Sequence, residues 1–131
     1  MKGLLLRVIG FDHLVLNVSD IERSLAFYLG PLGLEPVRVE EWRAGKVPFP
    51  SVRVAPGTII DLFERPRGES NVDHICLVVE PLDWQEVVGS GIFTVVDGPG
   101  SRYGARGDGQ SLYVLDPDGN TVELRWYPQD A

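Results

Sequence analysis

Phe11-Asp12-His13-Leu14-Val15-Leu16-Asn17-Val18 and Val72-Asp73-His74-Ile75-Cys76-Leu77-Val78-Val79 decide the fold of this chain. They hold its only two histidines, each preceded by an aspartate and followed by an apolar, β-rich run. Runs of this composition read as strands, and their recurrence marks an internal repeat. Successive side chains of a strand point to opposite faces. His13 therefore shares a face with Val15 and Asn17, and His74 with Cys76 and Val78. Leu14, Leu16 and Val18 in the first run, and Ile75, Leu77 and Val79 in the second, point the other way, onto a covering helix.

Both helices follow directly in the sequence. Ser19-Asp20-Ile21-Glu22 offers a helix start with a carboxylate three residues beyond the serine, and Ile21, Leu25, Phe27, Tyr28 and Leu29 give a helical stripe that Gly30-Pro31 ends. In the second half, residues 81–88 form a shorter helix with Trp84, Val87 and Val88 as its apolar positions, ended by Gly89. Each helix is followed by three strand-like stretches: Glu35–Glu40, Ser51–Ala55 and Thr58–Phe63, then Ile92–Val96, Ser111–Leu115 and Thr121–Trp126. The last hairpin of each half turns at Pro56-Gly57 and at Asp116-Pro117-Asp118-Gly119-Asn120. Trp42–Pro50 and the glycine-rich Asp97–Gln110 read as loops, the second a mobile lid, and Arg65–Asn71 as the connector. The expected class is α+β: two βαβββ modules, about residues 8–64 and 72–127, forming a curved mixed sheet around a cavity within one domain, 1–131. A module with one helix-covered face has a second face to bury, and pairing two modules closes it.

The last strand of each half carries an acid among apolar residues, Asp61 in Ile59-Ile60-Asp61-Leu62-Phe63 and Glu123 in Thr121-Val122-Glu123-Leu124-Arg125. Asp61 follows His13 by 48 residues and Glu123 follows His74 by 49. An acid in mid-strand is disfavoured unless paired, ligated or wet. Glu123 alternates with Val122 and Leu124, which belong on the helix, so it faces the cavity. Glu64 alternates onto the Ile60 and Leu62 face, away from Asp61. Two imidazoles and a carboxylate from different strands suit Fe(II), Mn(II), Zn(II), Ni(II) or Co(II) and leave coordination positions for a substrate. Cys76 reads as a small buried apolar residue rather than a nucleophile. Tyr113, Tyr103, Phe63 and Trp126 either flank the pocket or belong to the core.

At 131 residues, 44% apolar and 24% charged, the chain suits one compact domain. No apolar run approaches the roughly 18 residues of a membrane span. Arg7 interrupts the apolar N-terminus before signal-peptide length, so cytoplasmic residence is expected. A net charge of −7 disfavours a nucleic-acid partner. The single cysteine rules out an internal disulfide.

Phe11–Val18, Ser24-Leu25-Ala26-Phe27-Tyr28, Leu32-Gly33-Leu34, Val72-Asp73-His74-Ile75 and the run from Leu115 to Leu124 together resemble the vicinal oxygen chelate superfamily. Its members include glyoxalase I, extradiol dioxygenases, methylmalonyl-CoA epimerase, fosfomycin-resistance enzymes and bleomycin-binding proteins. The resemblance covers nearly the whole chain and maps the family's metal ligands onto His13, His74 and Glu123. Asp61 falls where glyoxalase I enzymes carry a fourth, glutamate ligand that doubles as base; aspartate is one carbon shorter, and Asp61 reads either as that ligand or base or as a partner orienting a histidine. What the resemblance implies is a divalent-metal-dependent lyase, isomerase or dioxygenase acting on a small oxygen-chelating substrate. Extradiol dioxygenases usually use a further histidine, and this chain has none. A phosphonate-directed thiol transferase would draw on Arg125, Arg102 and Arg106. The alternative implied by the same resemblance is a metal-free drug- or metabolite-binding protein of the bleomycin-resistance type, a type that typically lacks the ligand set. Exposed module edges make a homodimer the expected assembly, in which the cavity is closed either within one chain or by two chains exchanging modules across a two-fold axis.

Overall fold

The computed structural model describes residues 5–66, 68 and 71–131. The first four residues of the N-terminal stretch, and residues 67, 69 and 70 of the expected connector, lie outside the described residues. The element order is β1 (Val8–Val18), α1 (Ile21–Leu29), β2 (Glu35–Val37), α2 (Val39–Arg43), β3 (Ser51–Ala55), β4 (Thr58–Glu64), β5 (Val72–Val79), α3 (Trp84–Ser90), β6 (Thr94–Gly104), β7 (Gly107–Leu115) and β8 (Thr121–Trp126). This is the expected βαβββ order twice, with α2 added in the first half, in an α+β fold. No helix among the described residues is long and apolar enough to cross a membrane.

Compactness divides the chain elsewhere than repetition does. One unit is His13–Asp73, and the other joins Met1–Asp12 to His74–Ala131. β1 therefore gives its first five residues, Val8 to Asp12, to the C-terminal unit: the Glu80 amide donates to the Arg7 carbonyl at 2.9 Å, and Asp12 accepts from the Ala105 amide at 2.9 Å.

In unit His13–Asp73 the strands run β1-β4-β3-β2, with β1 parallel to β4 and the other pairs antiparallel. Ile21 and Leu25 of α1 pack with Val39, Val52 and Leu62, and Leu16, Val18 and Ile60 join them. Of the β1 residues assigned to the helix face, Leu16 and Val18 are the ones that join this cluster. α1 begins one residue later than its serine suggests. Asp20 is the N-cap, its carboxylate accepting from the Arg23 amide at 3.1 Å, and Glu64 accepts from the Ile21 amide at 3.3 Å. Glu64 satisfies a helix end and lies on the helix side, as alternation requires. The strand expected over Glu35–Glu40 stops at Val37 and turns into α2, because Val39 is buried in the core while Arg43 binds Glu40 and Glu22, each at 2.8 Å.

In the other unit the order is β5-β8-β7-β6, with β5 parallel to β8 and the other pairs antiparallel. Each unit therefore has the same topology, first strand beside fourth. Trp84 and Val87 of α3 pack on Val79, Leu112, Val114 and Leu124, with Leu77 and Val122 alongside. α3 is capped by Asp83, which accepts from the Gln85 amide at 2.9 Å, and it runs past Gly89 to end at Gly91, whose φ of 70° is the left-handed conformation glycine tolerates. The glycine-rich stretch Asp97–Gln110 is not a loop. It is most of a long hairpin, with Ser101 opposite Gln110 and Gly104 opposite Gly107, so the expected mobile lid is replaced by paired strands.

Candidate metal centre

Each unit holds one of the two predicted histidine–acid pairs, in the same register. In the parallel β1/β4 ladder Val15 stands opposite Asp61, and His13 is one same-face step before Val15. In the β5/β8 ladder Cys76 stands opposite Glu123, and His74 is one same-face step before Cys76. The near-equal spacings of 48 and 49 residues are thus the sequence trace of one repeated strand register.

In the first pair, His13 Nε2 lies 3.8 Å from Asp61 Oδ2, and both residues are 2% exposed. Ser51, directly opposite Asp61 across β3/β4, donates its hydroxyl to Oδ1. In the second pair, His74 Nε2 lies 3.1 Å from Glu123 Oε1. The other oxygen, Oε2, accepts from the Ser111 hydroxyl at 2.7 Å and from Arg125 Nη1 at 2.9 Å. Glu123 and Arg125 are fully buried. Tyr113, opposite Glu123 in the β7/β8 ladder, sets its ring edge-on to His74 with centroids 5.6 Å apart. Burial, and then the Glu123 charge, push the Tyr113 phenol pKa above the usual range, so the hydroxyl is neutral at any working pH.

In both pairs the acid meets the same imidazole atom, Nε2. A carboxylate that only orients a ligating histidine binds the ring nitrogen remote from the metal. Two ligand atoms about 2.0–2.2 Å from one ion are themselves roughly 3.0–3.5 Å apart at octahedral to tetrahedral angles. The 3.1 Å separation of His74 and Glu123 falls in that range, so this nitrogen and oxygen pair fits joint ligation of a divalent cation as it stands, while the 3.8 Å separation of His13 and Asp61 lies beyond it.

The remaining candidates have structural employment. Cys76 is buried, as read. Arg106 binds Asp130 through both terminal nitrogens, and Arg102 binds Asp97 at 3.3 Å, so these two arginines are engaged within the hairpin region. The aspartates before the histidines have diverged: Asp12 is buried and accepts from the Ala105 amide and the Tyr127 hydroxyl, while Asp73 pairs with Arg65 at 2.9 Å. The burial of Tyr127 pushes its phenol pKa up, helped by the Asp12 carboxylate that it donates to.

Sequence reasoning missed the serine clasps and the role of Arg125. A signal for the serines was present, since Ser51 and Ser111 each open the third strand-like stretch of their half.

The Glyoxalase/Bleomycin resistance protein/Dioxygenase superfamily matches residues 10–124. Virulence protein STM3117 of Salmonella typhimurium is 33% identical over 121 residues, covering 88% of this chain and 83% of that protein. Among solved structures, the Mn(II)-bound glyoxalase from Novosphingobium aromaticivorans aligns with a TM-score of 0.67 at 21% identity, over 93% of this chain and 40% of that one. Methylmalonyl-CoA epimerase from Mycobacterium tuberculosis aligns with a TM-score of 0.63 at 16% identity, over 96% of this chain and 93% of that one. At these identities both likenesses concern the fold.

Proposed function

Because the chain belongs to the Glyoxalase/Bleomycin resistance protein/Dioxygenase superfamily, we propose that it is a divalent-metal-dependent isomerase-type enzyme acting on a small substrate with two adjacent oxygens. In this reading His13, His74 and Glu123 are metal ligands and Asp61 is the further carboxylate at the centre. The observation that carries it is the duplicated pairing of an imidazole Nε2 with a carboxylate oxygen in one strand register, at 3.8 Å and 3.1 Å. The Mn(II) of the Novosphingobium glyoxalase supplies a precedent for a metal in this fold.

When bound, the metal supplies Lewis-acid polarisation of the substrate's two oxygens, which acidifies the carbon beside them. The chain's own groups do the rest. Asp61, which accepts the Ser51 hydroxyl at Oδ1 and lies 3.8 Å from His13 Nε2 through Oδ2, would accept the proton from that carbon and return it to the neighbouring one. The chain's two histidines both serve as ligands, so an aspartate base suits this chemistry better than the histidine-assisted oxygen chemistry of the dioxygenases. Burial of Glu123 and Asp61 keeps bulk water from competing for the proton.

The test is metal analysis of protein purified without chelator, followed by stripping and titration with Mn(II), Co(II), Ni(II), Zn(II) and Fe(II). About one ion per chain is expected, lost in Glu123→Ala and in His74→Ala. Stripped protein that rebinds none of these ions, or a Glu123→Ala variant with undiminished metal, would overturn the reading. Tight binding of an apolar drug by such metal-free protein would establish the sequestering alternative.

A further inference from the structure

We infer that Arg125 is a positioning residue for Glu123: together with Ser111 it occupies Oε2, so that Glu123 presents only Oε1 and serves as a one-oxygen ligand. This rests on the reading of Glu123 as a ligand and adds to it the manner of ligation and the group that enforces it.

Arg125 is two residues after Glu123 on β8 and so on the same face. Its guanidinium is fully buried and fixed on several sides. Nη1 donates to Glu123 Oε2 at 2.9 Å and to the Tyr103 carbonyl at 3.2 Å, Nη2 donates to the carbonyls of Arg102 at 2.5 Å and Gly107 at 3.2 Å, and Nε lies 3.9 Å from Asp12 Oδ2. Room for it is made by glycine. A Cβ on Gly104 would lie 2.5 Å from the guanidinium carbon, and one on Gly109 would lie 2.7 Å from Nη2. The β6/β7 hairpin is therefore shaped around this one side chain, and its carbonyls aim it.

Stability alone does not account for such a device. A buried ion pair is commonly no more stabilising than apolar side chains of the same volume, because desolvation offsets the attraction. What the arrangement does supply is direction. With Oε2 held by two donors, Oε1 stands 3.1 Å from His74 Nε2, and the Tyr113 phenol also hydrogen-bonds this carboxylate. A carboxylate limited to one oxygen leaves one more coordination position for the substrate than a chelating one would.

The experiment compares Co(II) binding by wild-type protein, Arg125→Met, Arg125→Lys and Ser111→Ala, reading affinity, the visible Co(II) bands and the number of nitrogen and oxygen ligands by X-ray absorption, with circular dichroism to confirm folding. Arg125→Met is expected to bind Co(II) about 10–100-fold more weakly, the range for loss of a partner that orients a metal ligand. Its bands and ligand count should shift as Glu123 chelates through both oxygens. Arg125→Lys should recover part of the affinity and little of the spectrum, since an ammonium restores charge without the fork. Ser111→Ala should move the spectrum in the same direction, and it decides the matter if Arg125→Met does not fold. Folded variants with wild-type affinity and bands would overturn the inference while leaving the ligand assignment intact. Wild-type protein that takes up no Co(II) or other divalent ion would overturn the ligand assignment and this inference with it.

Discussion

Replacing a glycine by alanine inside a strand ordinarily stabilises a protein by about 0.5–1 kcal/mol, since alanine has less backbone freedom to lose. Gly109→Ala should do the opposite. Its φ is not in the left-handed region, so the backbone accepts alanine, but the new methyl would stand 2.7 Å from Arg125 Nη2, 2.9 Å from Nε and 3.0 Å from the Trp126 carbonyl oxygen. An exposed arginine would swing aside at little cost. This one is fully buried, with its terminal nitrogens bonded to Glu123 and to three carbonyls, so moving it breaks at least one charge-assisted hydrogen bond. Overpacking costs about 1–3 kcal/mol and such a bond about 1.5–3 kcal/mol. Set against the backbone gain, the net destabilisation is about 1.5–5.5 kcal/mol. At a urea slope of about 2 kcal/mol per molar, the unfolding midpoint should fall by roughly 1–3 M. Gly89→Ala is the control: it lies on α3 with nothing within 4 Å of the added methyl, and should raise stability by about 1 kcal/mol. Both are read by urea unfolding followed by circular dichroism. A Gly109→Ala midpoint at or above wild type would refute the packing of Arg125 against the hairpin.

Asp61→Asn should lower proton exchange on a turned-over substrate by about 10²–10⁴-fold, the scale of a lost general base, while its metal content falls much less than that of Glu123→Ala. Equal losses of metal in the two variants would make Asp61 chiefly a ligand. Trp84→Phe removes the donor to the Gln110 carbonyl, a bond of 3.1 Å from a side chain only 5% exposed, and should cost about 1–3 kcal/mol in urea unfolding; an unchanged midpoint would count against that bond. The Asn120 amide, and behind it the backbone amides of Asn120, Asp118 and Gly119, hold the Asp116 carboxyl below its ordinary pKa of 3.8. A carboxyl depressed by folding stabilises the folded state above its unfolded pKa and loses that effect as the pH falls through the folded value. Thermal melts of Asp116→Asn should therefore lie below wild type at neutral pH and converge on it below about pH 3.8, and a constant gap down to acid pH would contradict the turn's hydrogen bonding.

The fold was legible because the repeat carries its own check: two strands, two helices and two acids at matching intervals leave few arrangements. The bounds read for Ser51–Ala55, Val72–Val79 and Thr121–Trp126 are those of the structure, all of them stretches where period-two patterning dominates. The hairpin Thr94–Leu115 was not legible, because glycine read locally signals a turn, whereas Gly104 and Gly109 answer to a side chain some twenty residues away. The same alternation that aimed Glu123 also put Arg125 beside it, yet its partners are backbone carbonyls, which leave no mark in sequence. α2 escaped because Val37 to Val39 favour a strand by composition, and only the burial of Val39 against Val52 and Leu62 favours the helix.

The division of β1 bears on how such a chain could have arisen and how it could be taken apart. Its residues up to Asp12 are claimed by the C-terminal unit, and those from His13 onward by the other. Neither half of the gene, cut at the connector, would encode a self-sufficient piece: the N-terminal fragment would display a stretch whose hydrogen-bonding partners, Glu80 and Ala105, were translated separately. Two such fragments should complement each other when co-expressed and be recovered together.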